Sequence, residues 1–192
     1  MKKLIVILLL FTVGCIVDRQ AEISKEVSAL NTPEAQTNFL NEIQKLDQEV
    51  RSKEGKALKE FGYNSAEHQL AVRQMIETDD ENLLKIEAYL NAYGHPIKKV
   101  HGANACYTPY LVIHHASGDD APRRRNFKYL YRAYTNGDLD ASPYSLYLNR
   151  LYFINFRKKI NWNRPYRVDE ELDTLYRALD LELLIEEIDS QQ

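Results

Sequence analysis

Apolar residues recur at helical spacing through most of this chain, and strict apolar–polar alternation is scarce. Phe39, Ile43, Leu46 and Val50 follow at steps of four, three and four, with Lys, Glu and Gln around the rest of the cylinder. Asn31-Thr32-Pro33-Glu34 leads into this stripe with a capping residue, an early proline and an acid in the first turn. Lys53 interrupts the seam and argues against a long coiled coil. Ser65 is placed to cap a second helix carrying Leu70, Met75 and Ile76. Asp79 or Asp80 is placed to cap a third, carrying Leu83, Ile86, Leu90 and Tyr93 and closed by Gly94 and Pro96. A fourth helical stretch spans about residues 103–116, and Pro109 inside it should kink or split it.

Asp120 and Pro122 open a fifth helix with Phe127, Leu130, Tyr131 and Tyr134, closed by Asn136-Gly137. Ser142-Pro143 opens a sixth, whose Tyr144, Tyr147, Leu148, Leu151 and Ile154 share one side. Residues 151–156 also have strand-like composition, a minor alternative to helix. Residues 169–188 form a last helical region with an expected break near Asp180. The pattern predicts an all-α fold, a single compact domain of six or seven helices over residues 31–192.

The first residues follow another logic. Lys2 and Lys3 precede an apolar run over residues 4–13, interrupted only by Thr12. That run is too short to cross a hydrocarbon core, which takes about 20 helical residues. It reads as the hydrophobic region of a secretory signal. Thr12-Val13-Gly14-Cys15 resembles the lipobox of bacterial lipoproteins, with Thr12 in place of the more usual Leu. The resemblance implies a signal peptide over residues 1–14, cleavage before Cys15 and diacylglyceryl attachment to its thiol. Residues 15–30 lack a clear period and read as a tether. The expected location is the bacterial cell envelope, membrane-anchored and facing the periplasm. The alternative is an ordinary signal peptide ending near a cysteine.

Composition is that of an ordinary globular chain: 192 residues, 44% apolar and 28% charged. Seven Gly and six Pro make a many-turned β fold unattractive. Two Cys support neither a disulfide framework nor a four-thiolate zinc site. Charge is uneven: residues 121–167 carry a net of +9, residues 168–192 a net of −8. The simplest expectation is that the acidic end packs beside the basic middle.

Within the basic stretch, Arg123, Arg124, Arg125, Lys128 and Arg132 interleave with Phe127, Tyr129, Tyr131 and Tyr134. Tyr152, Phe153, Phe156 and Trp162 likewise alternate with Arg157, Lys158, Lys159 and Arg164. Behind a lipoprotein signal this suggests anionic or sugar-containing envelope ligands, or a protein partner, and no nucleic acid; core packing is the plainer account of the aromatics. Four of five His fall between His95 and His115. On a helix the adjacent His114 and His115 point about 100° apart, and no i,i+4 pair is present, so no metal or cofactor is expected. Cys106 reads as a small buried thiol rather than a nucleophile.

From Asn82 to Glu182 the chain resembles an uncharacterised bacterial family, a domain of unknown function. Its pattern runs Gly-Trp-Pro, Val-Gly, Trp-Leu-x-x-Gln-His, Gly-Glu-x-Ser-Pro, Asp-Arg, Gln-x-Tyr-Gly-Thr-Gln and Arg-x-x-x-Gly-Leu. Tyr93-Gly94-His95-Pro96, Gly102, the run from Tyr110 to His115, Asn136-Gly137-Asp138, Ser142-Pro143, Asn149-Arg150 and the run from Arg177 to Leu181 stand at those places. Here the acid is Asn149, the Gln is His114, and the Gln-x-Tyr-Gly-Thr-Gln run is not recognisable near Trp162–Arg167. The resemblance implies an α-helical domain and points to His115 and Arg150; it implies no activity.

His114, His115, Tyr147 and Arg150 are therefore the candidate catalytic or ligand-binding residues, and Cys15 the candidate lipidation site. The favoured expectation is a lipid-anchored helical envelope protein that binds another envelope component. The alternative is a hydrolase-like or transferase-like enzyme with a His/Arg site.

Overall fold

A computed structural model describes residues 19–116, 118, 120–160 and 168–191. Cys15 and the signal segment, Ser117, Asp119 and residues 161–167 lie outside the described residues.

Eight helices and no strand occur among the described residues. They are α1 (residues 19–28), α2 (Pro33–Phe61), α3 (Ala66–Tyr93), α4 (Lys98–His115), α5 (Ala121–Thr135), α6 (Ala141–Phe156), α7 (Val168–Ala178) and α8 (Glu182–Ser190). The expected all-α architecture is what the chain forms. Thr32 caps α2 by accepting from the Ala35 N–H at 3.1 Å, and Ser65 caps α3 by accepting from the His68 N–H at 3.1 Å. Gly62, Gly94 and Gly137 stand at positive φ where α2, α3 and α5 end. Residues 151–156 are helical, and Asp180 at φ 55° separates α7 from α8 near the expected break.

Three local expectations are corrected. Residues 19–28 are helix rather than tether, and their Ile23 and Val27 are 1% exposed in the core. Two apolar residues at i and i+4 sufficed, because a groove on the larger helices receives them. No helix begins at Asp79 or Asp80; α3 runs through both. The Asp79 carboxylate caps nothing, because Arg51 of α2 holds it from across the helix pair, at 2.9 and 3.1 Å. Leu70 and Ile76 are exposed, and the inward face of that part of α3 presents His68, Ala71 and Asp79. In α4 the break falls at Gly102 (φ 80°, ψ 166°), not at Pro109, which sits within regular helix. Glycine bears the positive φ; Pro109 only forgoes one N–H, and the Thr108 hydroxyl donates back to the Asn104 carbonyl beside it.

α2 and α3 form a long antiparallel hairpin. Phe39 stacks on Tyr89 near its base, Arg51 meets Asp79 midway, and Glu54 meets His68 towards the tip. α4 runs parallel to α2: His101 lies 3.1 Å from Gln36, and His115 lies 2.9 Å from Asp47. It ends there, so α2 continues beyond it by about 20 Å to Phe61 at 1.5 Å per residue. α1 runs parallel to α3, with Arg19 paired to Glu81 and the Tyr93 hydroxyl donating to the Val27 carbonyl.

The other helices complete a body rich in tyrosine. Tyr144 stacks on Tyr134 at 4.6 Å and accepts from the Tyr176 hydroxyl at 3.2 Å. Burial raises the pKa of both phenols, so they stay protonated and serve as packed polar rims. The acidic and basic stretches do adjoin, α7 packing against α6. The basic residues of α5 nevertheless find partners elsewhere: Arg125 holds Glu87 at 2.6 Å and Arg124 holds Asp120 at 2.5 Å.

Candidate functional site

α6 carries two stripes. Tyr144, Tyr147, Leu148 and Leu151 face the core at 0% exposure. Ser142, Ser145, Leu146, Asn149, Arg150 and Phe153 recur at the same helical steps on another side. This second stripe walls a cleft of about 620 Å³, which His114, Lys159, Ile160 and Glu171 complete. The volume falls within the usual range for small-molecule sites.

The floor is polar and buried. Glu171 of α7 is 4% exposed, and its Oε1 accepts from Asn149 Nδ2 at 2.6 Å. The same amide donates to the Ser145 carbonyl at 3.0 Å. Glu171 Oε2 and His114 Nδ1 are both buried, and neither has a hydrogen-bond partner among the described residues. Such groups are costly to leave unpaired. Burial, and then the positive fields of His115, Arg123, Arg150 and Arg51, hold the His114 ring down to about 4. It is neutral near pH 7. The rim differs: Leu146 is exposed, as are Arg150 and Lys159, and neither cation pairs with a described residue. Phe153 and Ile160 add apolar wall.

The predicted residues divide. His114 and Arg150 line this cleft together. His115 turns instead to Asp47, where Gln48 and Arg51 also converge on the carboxylate, at 2.7 and 3.4 Å. It joins a polar chain running Asp79–Arg51–Asp47–His115, in which the two aspartates are buried and Arg51 and His115 half-buried, and which ties α4 to the hairpin. The two neighbouring rings meet edge to face with centroids 5.7 Å apart, yet only His114 lines the cleft. Tyr147 is not in the cleft; it is fully buried and donates to the Arg123 carbonyl at 2.8 Å. Its hydroxyl closes the core and has no route to a ligand there. Cys15 lies outside the described residues. Cys106 is buried, its thiol donating to the Pro96 carbonyl, and burial pushes it up to about 11, which leaves no thiolate for attack.

Arg123 has a role the sequence did not suggest. It is 0% exposed, and its Nη2 donates to the carbonyls of His114 and Ala116 at 2.7 and 2.8 Å. A buried cation thus caps the C-terminus of α4 and favours its dipole. Sequence reasoning also missed Ser145, Glu171 and the place of Lys159. The polar stripe on α6 was readable as i, i+3, i+4 spacing; Glu171, one acid in an acidic run, carried no signal. Among the described residues no trio of His, Cys, Asp or Glu is close enough to hold a metal. The chain matches no known family model, no curated protein and no solved structure.

Proposed function

We propose that this protein is a lipid-anchored binding protein of the bacterial cell envelope, and that the α6 cleft takes a small envelope component with an anionic group on an apolar body. The observation that carries this is the cleft's composition: two cations that pair with no described residue stand over an apolar rim. An anion would be drawn to Arg150 and Lys159, its apolar part lying against Leu146, Phe153 and Ile160. A hydrogen-bond donor on the ligand would satisfy Glu171 Oε2 at the floor. The basic n-region, short apolar run and Cys15 support the anchor.

Binding is favoured over catalysis because the one histidine in the cleft resists protonation. A ring held to about 4 is poorly matched to acid–base work near pH 7. The remaining histidine of the pair is committed to Asp47.

Anilinonaphthalene sulfonate, an anion on an apolar body, is the probe. The full chain should bind it, and Arg150→Glu with Lys159→Glu should weaken binding by about tenfold or more. Unchanged binding in that double variant refutes the cleft as an anion site. Cys15→Ala should abolish lipid labelling and release the protein from the membrane fraction; retained labelling refutes the anchor.

A further inference from the structure

The outer half of the α2–α3 hairpin exposes several large apolar side chains. Leu58, Phe61, Tyr63, Leu70 and Ile76 are 40–78% exposed there, with Tyr63 the highest. Two consecutive reversals, Gly62 at φ 83° and Asn64 at φ 66°, set Tyr63 at the apex between the helices. Single exposed apolar residues need no explanation, but Leu58, Phe61 and Tyr63 are clustered where α2 ends and the chain turns. Lys53, Lys56 and Lys59 stand behind the tip on α2.

Where the chain enters the fold decides what meets this surface. α1 is parallel to α3, and its first described residue, Arg19, pairs with Glu81. The N-terminal segment therefore reaches the fold from the side on which the hairpin projects. From the level of Glu81 back to Ala66, α3 extends about 22 Å towards the tip. From Arg19 to Cys15 there are only four steps of chain, which can span at most about 14 Å. With Cys15 acylated at the bilayer surface, a hairpin of that reach meets the membrane whenever its tip is turned towards the side from which the chain enters.

We propose that the hairpin tip is a membrane-contacting surface, with Phe61 and Tyr63 seated in the headgroup region of the bilayer that holds acylated Cys15. The proposal rests on the lipid-anchor reading above. Aromatic side chains favour that interface, and the stems of the three lysines can lie along the apolar tip; Glu54, Glu60 and Glu67 stand among them, so the contact rests on the aromatic rings rather than on charge. Contact at two points, the acyl chains and the tip, would fix the orientation of the cleft relative to the membrane.

The test places a nitrobenzoxadiazole label on Phe61→Cys, on Tyr63→Cys and, as a control on α8, on Leu183→Cys. Each is made in the full chain, matured in bacteria and reconstituted into vesicles of phosphatidylethanolamine and phosphatidylglycerol. Cys106 is buried and its thiol is protonated, so it stays unlabelled. Labels at 61 and 63 should emit at shorter wavelength on vesicles than in detergent and be quenched by spin-labelled lipid; the label at 183 should do neither. In a chain labelled at 63, Phe61→Glu should remove the shift while the protein stays on the vesicles. A vesicle-bound chain whose labels at 61 and 63 report water overturns the proposal and leaves the anchor standing. A chain that leaves the vesicles as Cys15→Ala does overturns the anchor reading and this proposal with it. Shielding at 61 and 63 that persists in detergent would mean that a second copy covers the tip, which also overturns it.

Discussion

Beyond Asp47, the hairpin buries only Val50 and Ala71 among its apolar side chains; its other buried positions are His68 and Asp79. In the α4–α8 body, Phe127, Leu130, Tyr144, Tyr147, Leu148 and Leu151 are all at 0% exposure. The hairpin helices carry side-chain caps at Thr32 and Ser65, which α4, α5, α6 and α8 lack, and different forces hold the two regions. The body gains from removing apolar area from water, at about 25 cal/mol per Å². The outer hairpin relies on polar contacts: the ion pairs of Arg51 with Asp79 and with Asp47, and the hydrogen bond between Glu54 and His68 at 2.9 Å. Those pairs give up hydration in order to meet. Burial pushes the Asp79 carboxyl above its ordinary range in spite of the two hydrogen bonds from Arg51 that pull it down. Desolvation thus outweighs attraction at this pair, so it specifies the register of the hairpin more than it stabilises it.

The comparison breaks most readily on core truncation. Phe127→Ala should cost about 3–5 kcal/mol in urea unfolding, whereas Val50→Ala should cost about 1 kcal/mol. Equal losses would mean that the outer hairpin is as dependent on apolar burial as the body.

Removing one charge should cost nearly as much as removing a core ring. Asp47→Ala leaves His115, Gln48 and Arg51 without their shared acceptor, and a loss of about 3 kcal/mol is expected. Replacing both members of the outer pair, Arg51→Met with Asp79→Leu, should cost clearly less than Asp47→Ala, because Asp47 loses Arg51 but keeps Gln48 and His115. A double variant as damaged as Asp47→Ala would show that the pair stabilises as well as specifies.

Acid should loosen the body through two histidines. Burial holds His95 and His114 down to about 4, against an ordinary value near 6.5. Their stabilising effect as neutral rings is complete above about pH 6.5 and is lost as pH falls towards 4, where the unfolded chain takes up protons that the folded one refuses. The loss should be a few kcal/mol across that window, below the sum of the two full shifts because His114 is partly open to solvent. His95→Gln with His114→Gln should flatten thermal unfolding between pH 6.5 and 4; an unchanged slope sinks the assignment.

The smallest effect belongs to the hairpin surface. Leu70→Lys should change urea stability by less than about 0.5 kcal/mol, because the side chain is half-exposed and supports no packing. A larger loss would place Leu70 in an interface within the fold.

Much of this architecture was legible because capping and periodicity act over three or four residues. Thr32, Ser65, Gly94 and the Asn136-Gly137 turn punctuate the helices from their own sequence. The candidate site was legible in part. His114 and Arg150 were marked, but His115 and Tyr147 were marked with them, and a one-dimensional pattern cannot tell a side chain facing a cleft from its neighbour bonded to another helix. Asp79 was misread for the same reason: an aspartate caps a helix or answers a cation, and which it does depends on Arg51, 28 positions away.

The chain by itself determined that it would be helical, where most helices start and stop, and which stripe of α6 faces inward. Those features follow from local hydrogen bonding and the 3.6-residue repeat. Tertiary structure alone decided that residues 19–28 join the core and that Asp79 pairs with Arg51. It alone set Arg123 under the end of α4, and brought Glu171 beneath Asn149 while His115 turned away to Asp47. Each of these depends on a buried polar or apolar group finding a partner far away in sequence. Only the packed fold brings such partners within bonding distance, and burial is what makes the pairing obligatory.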